Sequence, residues 1–319
     1  MSAKGSTVVI ALVAAAVGAL ISAAIPRTAG ETGGRGRSAD GKPNFNGVWQ
    51  ALNEAHWDVQ AHEARPGLVT QPGIYKFDYA KVPAAPVVAL GAAAGVPASL
   101  GVVTGDGQIP YTPEAAEIKA ENAANWIDRD PELKCYLPGI PRAMYMPYPF
   151  AIVQGADKIH MTYAFSNAGR VIHMNKVEGP PDDTYMGHSV GRWDGDTLVV
   201  EVTNFNGKNW FDRAGNFHSE SLKLVERYKP ISQDAIQYEV TIEDPKTFTR
   251  PWTISMPLYR RLEESATVLD YPCVEFSEEF MYGHLRNKPL VTRWEGETMV
   301  VEVTRKVPEG DKLHEWYRR

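Results

Sequence analysis

Apolar and polar positions alternate with a period of two through much of the second half of this chain, the spacing of half-buried β-strands. Residues 235–243 are the clearest run, with Ile236, Tyr238, Val240 and Ile242 on one side and Gln237, Glu239 and Thr241 on the other. Residues 248–261 repeat the pattern through Trp252, Ile254, Met256 and Leu258. A hairpin is expected from 158–165 through a turn at 166–169 into 170–176, with Ile159, Met161, Tyr163, Phe165, Ile172 and Met174 on the apolar side. That parity leaves His160 and His173 on the polar face. Residues 218–228 read as a strand whose Leu222 and Leu224 carry His218 and Glu220 inward, and 268–276 as one more.

One ribbon is written twice. Residues 192–203 read RWDGDTLVVEVT and 293–304 read RWEGETMVVEVT, each an acid-Gly turn signal between a Trp and an alternating apolar run. A two-residue turn at Asp194-Gly195 sets Trp193 opposite Asp196, gives one face to Trp193, Leu198, Val200 and Val202, and sets His188 across from Glu201. The second copy gives the same face to Trp294, Met299, Val301 and Val303.

The first half is organised differently. Residues 51–150 read as a wrapping segment, rich in Pro, Gly and Ala over 64–111, and a loop of that length is functional or ordered by packing. One helix is expected over 112–127. Thr112 is placed to cap it, Pro113 to occupy its first turn, and Ala115, Ile118 and Trp126 to share a side. Pro-punctuated segments at 135–142 and 146–150 are extended. Together these patterns predict an all-β protein, an antiparallel barrel or strongly curved sandwich with a short helix and a long N-terminal wrap, in one domain over 44–319.

Composition adds a compartment. The 319 residues carry a net charge of −6 with no basic stripe, which argues against a nucleic-acid partner. Residues 1–27 hold Lys4 followed by an apolar run from Val8 to Ile25, read as a cleaved signal peptide or a retained membrane anchor. Residues 28–43 follow as a flexible Gly-rich linker. Export to the periplasm or beyond makes one disulfide between Cys135 and Cys273 the favoured use of the two cysteines, with two buried thiols as the alternative.

Candidate chemistry is sparse. His218 with Glu220, just after a loop bearing Trp210, Asp212 and Arg213, could act as a general acid or base at a barrel mouth, or close that mouth as a hydrogen-bonded network. Arg142 and Arg250 could clamp a ligand carboxylate or pair with nearby acids, Asp244 for Arg250. Tyr148, Trp210 and Trp252 could line an apolar site, with Arg213 beside them. His160 and His173 lack a third metal ligand, and no P-loop, dinucleotide fingerprint or nucleophile elbow is present, so no metal or cofactor is implied.

The segments Ile109-Pro-Tyr-Thr-Pro113, 135–142 (CYLPGIPR), 146–150 (MPYPF), 191–198 (GRWDGDTL), 211–220 (FDRAGNFHSE), 243–245 (EDP) and Arg250-Pro-Trp252 resemble those of a family of uncharacterised secreted bacterial proteins. The resemblance runs from Gly47 to about Cys273. It implies export and a β-rich fold and carries no activity. That family has an acid at the position of His188, so no shared role for His188 follows. A looser likeness to lipocalin and fatty-acid-binding barrels rests on Gly47-Val48-Trp49 and on the Trp193 ribbon. It implies a calycin-like barrel with a small apolar cavity. Three functions follow as expectations: a barrel binding a small apolar or aromatic molecule, a cofactor-free lyase, isomerase or hydrolase using His218, Glu220 and Asp212, or an accessory subunit of an envelope complex anchored through residues 8–25.

Overall fold

The computed structural model describes residues 36–38, 40–66, 95–273, 291–295 and 298–302. The export segment, residues 67–94 of the wrap, and 274–290 lie outside the described residues. The chain divides into units at Asn44/Phe45. In the first, the described part of the expected linker is a closed turn in which Arg37 bridges Pro43 and the Ser38 amide donates to the Lys42 carbonyl at 2.8 Å.

The strands in chain order are β1 Gly47–Ala51, β2 Arg65–Pro66, β3 Gly95–Val96, β4 Phe150–Gln154, β5 Lys158–Tyr163, β6 Gly169–His173, β7 His188–Asp194, β8 Thr197–Thr203, β9 Lys223–Ser232, β10 Ala235–Glu243, β11 Trp252–Arg260, β12 Val291–Glu295 and β13 Thr298–Glu302. Nine of them close a barrel in the order β1-β11-β10-β9-β8-β7-β6-β5-β4, with β1 completing the ring between β11 and β4. The fold is therefore the expected all-β barrel and not an open sandwich. It departs from a wholly antiparallel sheet at one seam, where β6 and β7 run parallel and share two register pairs, Ile172↔Ser189 and His173↔Val190.

Alternation decides what fills the lumen. The inward positions of β10 and β11 (Ile236, Tyr238, Val240, Ile242, Trp252, Ile254, Met256, Leu258) are buried, as are Leu198, Val200 and Val202 of β8. Burying each such side chain is worth roughly 1.5–3 kcal/mol, and this is the main source of cohesion. Trp49 is fully buried; its Nε1–H donates to the Phe45 carbonyl at 2.8 Å, and the Arg260 guanidinium lies 4.2 Å over its ring. Arg260 is the cross-strand partner of Trp49 and bonds the carbonyls of Asn46 and Gln233, so it fastens β1 across the closing edge.

Four local expectations are corrected. The first ribbon turns at Gly195-Asp196, so Trp193 pairs with Leu198 and His188 with Thr203; Glu201 faces Val190. Trp193 keeps its inward face because a two-residue shift preserves parity. The second ribbon has the same register, Trp294↔Met299 and Glu295↔Thr298, while its apolar face and Val303 lie outside what is described. The helix is broken at Asn125 into α1 Pro113–Ala124 and α2 Trp126–Arg129; the Thr112 hydroxyl caps α1 by accepting from the Ala115 amide, and Ile118 points to solvent. Residues 218–222 form a turn ahead of β9, and the described part of 268–276 is not a strand but makes one isolated β-bridge, Phe165↔Tyr271. Cys135 and Cys273 are disulfide-bonded across a separation of 138 residues.

Candidate functional site

The residues singled out for chemistry do not converge. His218 is buried against Phe205 and Phe211, and its Nδ1–H donates to the Ser219 carbonyl at 2.8 Å; burial lowers its pKa and keeps the ring neutral. Glu220, expected to point inward, is exposed and pairs with Lys246 at 2.6 Å, because residues 218–222 turn instead of alternating. The carboxylate that does serve this turn is Asp244. It accepts from the Ser219 amide (2.6 Å), the Ser219 hydroxyl (2.8 Å) and the Thr247 hydroxyl (2.8 Å), which leaves it no role as the partner of Arg250. Asp212 is fully buried and accepts from the Val59, Ala214 and Asn216 amides and from Asn216 Nδ2. Burial and neighbouring Asp58 push its carboxyl up to about 7, against the pull of those donors.

The arginines expected to clamp a ligand hold other parts of the chain. Arg142 grips Asp130 with two hydrogen bonds of 2.7 and 2.8 Å and reaches Glu132 at 3.3 Å. Arg213 bonds the same Glu132 carboxylate at 3.2 to 3.5 Å and lies 4.6 Å over Trp57 and 5.7 Å from Trp126. His56 completes this buried cluster, its Nε2 3.9 Å from Glu132; burial first, then Arg213 and Arg142, hold its pKa well below the usual value. Arg250 is exposed, 3.7 Å from Asp106. Trp210 and Trp252 are buried, Trp252 edge-on to Phe211 and Phe248, and Tyr148 stacks on Phe165 and packs at a tilt against Tyr271. His173 lies diagonally from His160 across the hairpin, as the register implies, and 5.4 Å from His188, and among the described residues no cluster of three metal-ligating side chains occurs.

The lumen holds a feature that the sequence reading passed over. Glu226 on β9 and Arg170 on β6 both occupy inward positions and meet in the middle of the barrel, with contacts of 2.9 and 3.3 Å. Tyr228 and Tyr238 each donate to Glu226 Oε1 at 2.8 Å, and Arg170 also donates to the Tyr228 oxygen at 2.8 Å. Every guanidinium nitrogen of Arg170 has an acceptor here, as a buried charge requires. Met144 and Met161 contribute sulfurs to the same cluster, within 3.3–3.7 Å of Tyr163, Tyr228 and Arg170. The space that a calycin-like ligand would need is filled by these side chains.

Open space lies to one side, at the parallel seam. A parallel pair cannot be joined by a tight turn, so residues 174–187 cross over between β6 and β7, with Gly179-Pro180-Pro181 excluding a further strand. The returning limb is zipped to the end of β8: the Thr184 amide donates to the Asn204 carbonyl at 2.9 Å and the Asn206 amide to the Thr184 carbonyl at 3.0 Å. Between this limb, β6 and the 135–142 segment opens a cleft of about 500 Å³. Leu137, Val171 and Met186 supply its apolar wall, and Asp183, Thr184, Tyr185 and Asn206 its polar one. Tyr185 stacks on Tyr136 at 5.6 Å, and Asn209 donates to the Leu137 carbonyl at 2.9 Å, fixing the far wall. Gly187, at φ +69°, is obligatory, since a Cβ there would lie 2.7 Å from Val202 and 2.9 Å from the Thr203 carbonyl. None of the residues expected to bind a ligand lines this cleft. The sequence signal that could have found it is the Gly179-Pro180-Pro181 break ahead of Met186-Gly187.

The fold and site define a closed β-barrel with a filled lumen and a lateral cleft. A scan against models of known protein families finds no match for this chain, and a search of curated proteins finds no relative.

Proposed function

We propose that this protein is an extracytoplasmic barrel that binds a small apolar or aromatic molecule, and that the molecule sits in the lateral cleft and not in the lumen. One observation carries the reading: the lumen is occupied by its own Arg170–Glu226–tyrosine network, while the seam leaves about 500 Å³ between an apolar and a polar wall. That volume falls within the roughly 300–1,000 Å³ typical of small-molecule sites. The disulfide and the apolar run at residues 8–25 support a location outside the cytoplasm, in the periplasm or beyond. The enzyme reading has less support, because His218, Glu220 and Asp212 each bond a different partner.

Mass spectrometry of small molecules released from the protein purified from native envelope tests the proposal. A consistent apolar or aromatic species is expected, lost in a Val171→Trp variant that fills the cleft wall. Its retention in that variant with an unchanged melting temperature would move the site elsewhere, and an empty protein that no extract fraction stabilises would refute binding.

A further inference from the structure

We propose that the occupant of the cleft is a small organic cation, an amine or quaternary ammonium on an apolar or aromatic body, held by the Asp183 carboxylate and the ring of Tyr185. This deepens the reading of the cleft as a ligand site and rests on it. The argument is one of charge. Asp183 is the only acid among the lining residues and Arg170 the only cation. The Arg170 side chain is 2% exposed and turned into the lumen, where Glu226 and Tyr228 take its donors. The cleft therefore presents a carboxylate to solvent with no lining cation to answer it. The described contact of Asp183 is with a neutral amide, Asn204 Nδ2, at 3.4 Å. Asp182 beside it adds the same sign.

The aromatic wall matches that charge. One face of Tyr185 is covered by Tyr136, at an interplanar angle of 24°, and the residue is half-buried. The negative face of a phenol ring attracts an ammonium and gives nothing to an anion. Leu137, Val171 and Met186 then take the apolar body. A carboxylate or phosphate ligand would meet Asp183 with no free guanidinium beside it. Lys208, exposed two residues beyond Asn206, is the one cation of the 204–208 segment and marks the rival arrangement.

Titration of the full chain with three probes of matched body decides between them: phenethylamine, 2-phenylethanol and 3-phenylpropanoate, followed by calorimetry and by the methyl NMR signal of Met186. Phenethylamine should bind about threefold more tightly than the alcohol, the size of an exposed ion-pair contribution. The propanoate should be weakest, and added salt should narrow the gap. In Asp183→Asn the amine should fall to the level of the alcohol, while Tyr185→Leu should weaken the amine more than the alcohol. Equal binding of amine and alcohol, or an amine preference that survives Asp183→Asn, overturns the cation. A preference for the propanoate overturns it in favour of an anion near Lys208. Failure of all three probes to shift Met186 overturns the cleft as a ligand site and the cation with it.

Discussion

A buried carboxylate and guanidinium that face each other inside a barrel are held by the cost of separating them. Glu226 takes two contacts from Arg170 and one each from Tyr228 and Tyr238, and the phenols stay protonated because burial raises their pKa values well above normal. Removing one charge leaves the other unpaired in a dry interior. Arg170→Met should therefore cost about 3–5 kcal/mol of unfolding free energy in urea denaturation. Adding Glu226→Gln removes the stranded charge and keeps an acceptor for both tyrosines, so the double variant should be the more stable of the two. A double variant as unstable as the single would mean that packing, and not charge, sets the cost. Both residues sit at inward parity in the sequence, Glu226 between Leu224 and Tyr228 and Arg170 two before Ile172, so the pair was open to a period-two reading. That they meet was not, because 56 residues separate them.

At the scale of elements, the seam between β6 and β7 is where the barrel differs from a string of hairpins. A hairpin fixes its own register, whereas a parallel pair needs a crossover whose path is set by what it packs on. Gly187 ends that crossover in the left-handed region with backbone and side chains against it on several sides. Gly195, in the ribbon turn, is also left-handed at φ +59° but has nothing within 4 Å of a would-be Cβ. Gly195→Ala should cost roughly 1–2 kcal/mol for the backbone alone. Gly187→Ala should cost more, and should lower ligand affinity at the cleft as well, as denaturation and titration of the two variants would measure. Equal costs would mean that the close approach at Gly187 relaxes freely. The helix makes a related point: Thr112-Pro113 announced its start, whereas its break at Asn125 comes from how Trp126 and Arg129 pack beside Trp57 and Asn122.

For the whole molecule, buried titratable groups outside the barrel set the response to acid. His56 and His218 both have pKa values lowered by burial, so below about pH 6.5 the unfolded chain takes up protons that the folded chain refuses, and stability falls. Asp212 acts in the opposite sense. Its carboxyl, raised to about 7 from 3.8, holds a proton in the folded state that the unfolded chain releases, so acidification across that window stabilises. Two buried histidines oppose one buried carboxyl across this window, so the net response to acid is a loss of stability. Melting temperature should fall from pH 6.5 to 4.5 in the parent, and His56→Gln should flatten the fall. Parallel falls in the two proteins would remove His56 from the acid response.

The sequence by itself determined most of the strands, their faces and the class of fold, because alternation and turn chemistry are local and each ribbon states its own parity. It also favoured the cysteine pair, since two cysteines allow one bridge, and Cys135 and Cys273 form it. The tertiary structure alone decided where charge and open space lie. The acids that meet Arg213 and Arg170, the Asp244 contacts that hold the turn sending Glu220 to solvent, and the parallel seam that opens the cleft all depend on segments far apart in the chain being brought together. Side-chain periodicity has no term for such distances, so it could not place Arg213 on Glu132 or Arg142 on Asp130.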